Sequence, residues 1–260
     1  MKVSVIGCGN LGSAVVKGLV AENHDVVACD KDPEALDALP ESDSIKTTED
    51  AQEATRESEV VVLAVKPEVA GAVLGSFELE EGQVLASFAA AVSLGFLREN
   101  ARGDAHVVRV MPNLAGEYNE MAAAVSPPGE VPESVRRILD DLGSYVEVEE
   151  GLMDIATAVN GSGPAFVFYA MKAMKEAGVE GGLDEKDAET LTAQTFRGAA
   201  AIVNNDERSL DELIEAVCSP GGTTIEGMEV LREADADEPF VEAVTAAERR
   251  SEEITEELDL

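Results

Sequence analysis

At 260 residues the chain is long enough for one or two domains with sizeable cores. Its formal charge of −34, from 53 acidic and 19 basic residues, excludes binding to nucleic acid or to anionic membrane through a general basic field. Three cysteines with no CxxC pair, and two histidines in unrelated places (His24 and His106), argue against a disulfide framework, a zinc site and a Ser-His-Asp triad.

The chain opens MKVSVIG, which reads as a strand and not as a leader. The longest apolar run, near Pro164–Met171, is too short to span a bilayer. A cytoplasmic protein with no membrane partner is therefore expected. The acidic residues are spread over expected helix faces, as in EALDALPESD, DEKDAE and ITEELDL. This pattern favours a cytoplasm of high salt, where screening over a few ångströms offsets self-repulsion; an acidic mesophilic protein is the alternative.

In chain order, a strand is expected over Val3–Gly7 (VSVIG), then the glycine turn GCGNLG over Gly7–Gly12, then a helix in SAVVKGLVAEN, then a second strand over Asp25–Asp30 that ends on an acid. Strand, glycine turn, helix, strand and acid together form a dinucleotide-binding pattern. Gly7 permits the tight turn, Gly9 lets the backbone approach a pyrophosphate, and Gly12 lets helix and strand pack closely. Asp30 falls where the adenosine ribose should lie, so its carboxylate would accept hydrogen bonds from a free 2′-hydroxyl and repel a 2′-phosphate. Read alone it leans toward NADH over NADPH, and Lys31 beside it softens that preference. Further strands are expected in Glu59–Pro67 (EVVVLAVKP), Gln83–Ala91 (QVLASFAAA) and Ala105–Asn113 (AHVVRVMPN), with a helix in SLGFLREN. EMAAAVSP reads as another strand, VPESVRRILDDLG as a helix and SYVEVEE as a closing strand. The fold class is α/β, a Rossmann-like, doubly wound, mostly parallel sheet, whose ligands bind outside the carboxyl ends of the strands. AVKP, FAAAV and MPN stand at those ends.

From Gly151 strand-like runs cease. Residues 1–150 are therefore expected to form the dinucleotide-binding domain, and 151–260 an all-helical domain for dimerisation and substrate binding. Met153–Gly178 reads as a helix, a glycine break and an apolar helix, with Phe166, Tyr169, Ala170 and Ala173 on a face suited to core or subunit interface. DAETLTAQTFRGAAAIVNN, SLDELIEAVC and FVEAVTAAERRSEEITEEL are further helices. CSPGGTTIEG (Cys218–Gly227) places two glycines before a helix start that Thr223 and Thr224 can cap. Unpaired N–H groups at such a start suit a small anion.

VIGCGNLG, AVKP, SFAAAVSL (Ser87–Leu94), RVMPN (Arg109–Asn113), GSGPAF (Gly161–Phe166) and CSPGGTTIEG, in that order, resemble the pyrroline-5-carboxylate reductase family nearly end to end. The resemblance implies reduction of the cyclic imine 1-pyrroline-5-carboxylate to L-proline by hydride transfer from NADPH or NADH. It implies dinucleotide contacts from Ile6, Gly7, Gly9, Asn10, Leu11 and Gly12. Val65, Lys66 and Pro67 would line the cofactor cleft, and Ala89 and Ala90 would back the nicotinamide end. Ser219, Gly222 and Thr223 would hold the substrate carboxylate. Thr224 would hydrogen-bond the ring nitrogen and, with Lys66 as an electrostatic or water-positioning group, supply what little catalysis the iminium needs. The resemblance further implies homodimers through the helical domain, which in the family often assemble into larger rings.

Two places depart from the family. Asn113 is followed by LAGEYNE, where members usually carry a mostly apolar loop containing Thr-Pro, and Glu117 and Glu120 would add negative charge near an anionic substrate if they faced it. Asp30 stands where members that use NADPH usually carry a hydroxyl or basic residue. The alternatives are an imine reductase for a different cyclic imino acid and a non-catalytic nicotinamide-binding sensor. A hydroxyacid dehydrogenase is disfavoured, because Val167 stands where that group carries a lysine.

Overall fold

A computed structural model describes residues 1–103, 106–127 and 129–258. Ala105, the first residue of one expected strand, and the last two residues of the acidic tail lie outside the described residues. The chain divides into two compact units, Met1–Ser162 together with the segment from Thr245, and Gly163–Val244.

The first unit carries an eight-stranded sheet: β1 (Lys2–Ile6), β2 (Asp25–Cys29), β3 (Ile45–Thr48), β4 (Val60–Leu63), β5 (Val84–Ser87), β6 (His106–Pro112), β7 (Met121–Ser126) and β8 (Gly143–Glu147). The order is β3-β2-β1-β4-β5-β6-β7-β8, and only the β6–β7 pairing is antiparallel. The helices are α1 (Asn10–Ala21), α2 (Pro33–Asp37), α3 (Ala51–Thr55), α4 (Pro67–Leu74), α5 (Leu94–Asn100), α6 (Glu133–Leu142) and α7 (Met153–Ala156). They cover both faces, which is why a central strand such as β4 is a continuous apolar run without alternation. In β4, Val60 and Val62 join one core with Val15, Val16 and Leu19 of α1 and Ile138 and Leu139 of α6. Val61 and Leu63 join the other, with Leu74 of α4 and Leu97 of α5. Each such fully buried side chain contributes roughly 1.5–3 kcal/mol of transfer free energy.

Expected strands prove shorter than their apolar runs. The Glu59–Pro67 strand closes at Leu63, because Pro67 lacks an N–H for the ladder and instead occupies the first turn of α4. The Gln83–Ala91 strand closes at Ser87, and the backbone turns through Ala91 at φ 57°. The EALDALPESD segment is helical only to Asp37. β3 is a strand that periodicity does not reveal. The helix expected from Met153 continues through a π-helical turn at Thr157–Gly161, leaving Ser162 as the break.

The LAGEYNE departure folds as a 3-10 turn over Leu114–Tyr118 against α1. Lys17 Nζ donates to Glu117 Oε1 at 3.0 Å, so that acidic side chain is neutralised on the α1 surface. Asn119, at φ 56°, donates from Nδ2 to the Asp141 carbonyl at 2.6 Å. The Asp141 carboxylate meets the buried His24 ring, Nε2 to Oδ2 at 2.7 Å. Glu120 is exposed.

The second unit contains α8 (Gly163–Glu180), α9 (Glu185–Asn205), α10 (Leu210–Val217), α11 (Thr223–Glu233) and the start of α12 (Glu238–Leu258). A capping box at Ser209 and Glu212 starts α10. Within Gly163–Val244 the only buried residues are Ala188 and Thr192. The apolar face of α8 is not core in one chain, for Phe168 is 65% and Tyr169 74% exposed. No helix among the described residues is long and apolar enough to cross a membrane.

A β-carbon at Gly18 of α1 would run into the Gly116 carbonyl. Gly18→Ala should therefore lower stability by about 1–3 kcal/mol, read as a lower midpoint of thermal unfolding; an unchanged midpoint would mean that the loop is not packed on α1.

Candidate active site

The sheet order reverses between β1 and β4, and the cleft lies at the carboxyl ends of these strands. Gly7 leaves β1 at φ 95°, and its N–H donates to the Cys29 carbonyl at 2.8 Å. A β-carbon at Gly12 would collide with the Gly7 carbonyl, so the first turn of α1 rests directly on the glycine turn. At Gly9, by contrast, nothing lies within 4 Å of where a β-carbon would stand. That open cradle sits at the N-cap of α1, which has no side-chain cap and begins with Asn10, Leu11 and Gly12. Open space, an uncapped helix start and a closely approachable backbone fit a pyrophosphate.

Asp30 ties this turn to the end of β2. Its Oδ2 accepts from the Cys8 N–H at 2.7 Å and its Oδ1 from the Asp32 N–H at 2.9 Å. The same residue lines a cleft of about 680 Å³ with Ile6, Gly7, Val65, Glu49 and Asp50. Three acids there face one base, Lys31. Asp50 is partly committed, since its Oδ1 accepts from Gln52 N and Glu53 N at the start of α3. Glu49 and Asp50 are additions to the site that sequence reasoning missed; the strand-end rule applied to KTTED would have found them, had β3 been recognised. Cys29 also lines the cleft, but burial and then the Asp30 carboxylate push its thiol up to about 11, and Cys8 up to about 12 for the same reasons. Both therefore stay protonated and unreactive near neutrality.

Ladder bonds bring the next strand ends alongside. Ala64 N donates to the Ile6 carbonyl at 2.8 Å, and Phe88 N to the Leu63 carbonyl at 2.8 Å. Val65 thus lines the cleft, while Lys66 is the exposed N-cap of α4 and Pro67 its first residue. Ala89 is buried and Ala90 half-buried at the end of β5. Asn160, read from sequence only as part of a glycine break, is tied to the ends of β6 and β7. Its Nδ2 donates to the carbonyls of Met111 (2.7 Å) and Ala122 (2.9 Å).

Ser219, Gly222, Thr223 and Thr224 lie together in the second unit. Gly221 turns at φ 67°, and Gly222 N donates to the Ser219 carbonyl at 2.9 Å. The expected threonine caps are not formed. α11 begins at Thr223 and its N-cap is Gly222, with no side-chain cap hydrogen bond. A cap must precede the first helical residue, so both threonines fall inside the first turn. The backbone N–H groups and the hydroxyls there are left for a ligand.

Two family models match the chain. Residues 150–254 match "Pyrroline-5-carboxylate reductase dimerisation", and residues 2–91 match "NADP oxidoreductase coenzyme F420-dependent". The pyrroline-5-carboxylate reductase of Methanosarcina acetivorans is 36% identical over 97% of this chain and 97% of its own. That of Escherichia coli is 32% identical over 98% of each. Among solved structures, a Plasmodium falciparum pyrroline carboxylate reductase with NADP bound superposes with a TM-score of 0.84 at 26% identity, covering 98% of each chain. One from Coxiella burnetii superposes at 0.82 and 30% identity, covering 96% of this chain and 97% of that one. The glycine turn, the strand-end loops and the glycine-threonine helix start thus occur within a similarity that runs the length of the chain, which belongs to the pyrroline-5-carboxylate reductase family.

Proposed function

We propose that this protein reduces 1-pyrroline-5-carboxylate to L-proline, with NAD(P)H as hydride donor, as the last step of proline biosynthesis. The observation that carries this reading is near full-length similarity to reductases of that name together with an intact CSPGGTTIEG segment whose helix start is uncapped. When bound, the nicotinamide supplies the hydride. Ile6, Gly7, Gly9, Asn10, Leu11 and Gly12 hold the pyrophosphate and its flanks, Asp30 faces the ribose, Val65, Lys66 and Pro67 wall the cleft, and Ala89 and Ala90 back the nicotinamide end. Ser219, Gly222 and Thr223 bind the substrate carboxylate through backbone N–H and hydroxyl groups. Thr224 steadies the ring nitrogen as it becomes an amine. A protonated imine is already electrophilic, so alignment of the two rings does most of the work and no histidine is required. The pairing of Glu117 with Lys17 supports a site that tolerates an anionic substrate.

The same reading takes 1–150 as the dinucleotide-binding domain and 151–260 as the dimerisation and substrate-binding domain. A helical unit that buries two of its own residues needs a partner for its apolar faces, and a second copy of the chain, with dimers building a ring, supplies it. The charge of −34 supports a cytoplasm of high salt.

Incubation with 1-pyrroline-5-carboxylate and NAD(P)H should yield L-proline stoichiometric with oxidised cofactor; cofactor binding without any proline would overturn the assignment in favour of a sensor. Thr224→Ala should cut turnover about tenfold, the worth of one hydrogen bond to a developing charge, with NAD(P)H affinity nearly intact. Equal loss of both would contradict the division of labour. Raising KCl from about 0.1 M to about 3 M shortens the Debye length from about 10 Å to under 3 Å, and the unfolding midpoint should climb accordingly; a midpoint that falls or stays level would remove the high-salt reading.

A further inference from the structure

Arg109 lies in β6 and is 5% exposed. It stands in register with Ser87, the last residue of β5. Its guanidinium reaches Glu150 Oε1 at 3.5 Å, and the Asp154 carboxylate lies close enough to favour its charge against the burial that opposes it. The same Glu150 oxygen accepts a hydrogen bond from the Leu94 N–H, at the first residue of α5, at 2.6 Å. Asp154 in turn accepts from Ser251 Oγ of α12 at 2.6 Å. None of these groups belongs to the sites described above.

The segment just before α5 is Phe88–Ser93, which includes the Ala89–Ala90 wall. In its middle Ala91 is buried and held at φ 57°. A left-handed backbone is unfavourable for an alanine and persists only where its surroundings over-determine it. Upstream, the segment is fixed by the Phe88–Leu63 ladder bond. Downstream, the fixing groups are the Ser93 cap and the Glu150 carboxylate on Leu94. Glu150 is itself held in place by a buried cation. The strained turn is therefore stretched between a sheet hydrogen bond and an ion pair.

We propose that Arg109 and Glu150 are positioning residues for hydride transfer: the contact of buried Arg109 with the half-buried Glu150, and of Glu150 with the Leu94 N–H, keeps the left-handed Ala91 turn formed, and with it the Ala89–Ala90 wall placed for the nicotinamide ring. The proposal rests on the reductase reading given above. Loss of Glu150 leaves the buried guanidinium with only the more distant Asp154 carboxylate and the Leu94 N–H without its acceptor, so the turn relaxes toward right-handed backbone. The glycine turn and the ribose acid are untouched by that change, so the cost falls on alignment and not on cofactor affinity.

Two readouts test this, one of them on ligand-free protein. In Glu150→Ala, amide hydrogen exchange over residues 88–94 should quicken at least about tenfold while residues 2–29 keep their rates. In the same variant kcat should fall about tenfold to a hundredfold with the NAD(P)H dissociation constant changed less than about twofold, as expected for a misplacement near 1 Å. Adding Ala91→Gly to that variant removes the left-handed cost and should recover most of the lost kcat. Glu150→Gln, which keeps an acceptor for Leu94 and loses the ion pair, should move both readouts the same way by less, and it serves if the alanine variant does not fold. Unchanged exchange over 88–94, a uniform rise across the sheet with kcat and affinity falling together, or no rescue by glycine would each overturn the proposal. A wild-type chain that fails to form proline, with exchange still quickened locally in the variants, would refute the reductase reading and leave the anchoring contact standing.

Discussion

The left-handed turn at Gly7 is the constraint on which the cofactor half of the molecule depends. It lets the chain leave the central strand and start α1 within three residues, and Gly12 must then be bare because it lies against the Gly7 carbonyl. The resulting helix start is open at Gly9 and uncapped, a combination that suits an anion. Asp30 closes the arrangement from the neighbouring strand, because its carboxylate satisfies the Cys8 N–H that the turn would otherwise leave open. One residue thus stabilises the turn and gives the adjoining cleft negative charge.

That dual role bears on cofactor choice. The carboxylate is fixed by two backbone donors, so if it faces the ribose, as proposed above, it could not swing away to admit a 2′-phosphate without freeing the Cys8 N–H. Glu49 and Asp50 add negative charge along the same cleft, where Lys31 is the one base beside them. A like-charge contact near 4 Å costs roughly 1–4 kcal/mol, depending on how well water screens it, which is tenfold or more in an equilibrium. With the ribose placed beside Asp30, as proposed above, this charge would disfavour a 2′-phosphate and so support NADH as the preferred donor. The NADP bound to the Plasmodium falciparum relative shows that the same fold accommodates the phosphorylated cofactor in another sequence.

Much of the candidate site was legible because it is local. GCGNLG followed by a helix and an acid-terminated strand is a contiguous pattern, and its geometry follows from what glycine permits. CSPGGTTIEG was legible for the same reason, although its threonines proved to lie inside the helix and not at its cap. What sequence could not supply was non-local or conformationally silent. β3 is a short, half-exposed edge strand, IKTT, with no apolar run to mark it, so the acids after it went unplaced. Ala91 carries no signature of its left-handed backbone. Arg109 and Glu150 are 41 residues apart and meet only once the sheet and the segment after β8 have folded. The helical unit shows the converse case. Most of its helices were plain from periodicity, but the end of α11 was not, and the exposure of Phe168 and Tyr169 emerged only from the folded chain.

The most direct test of this account is the ratio of kcat/KM for NADH to that for NADPH, with 1-pyrroline-5-carboxylate as substrate at a salt concentration where the protein is fully folded. A turn clamped by Asp30 in an acidic cleft predicts a ratio above one, by about tenfold or more. A ratio below one would show that the 2′-phosphate is accepted despite three carboxylates in the cleft, and would contradict the claim that Asp30 couples the glycine turn to cofactor choice.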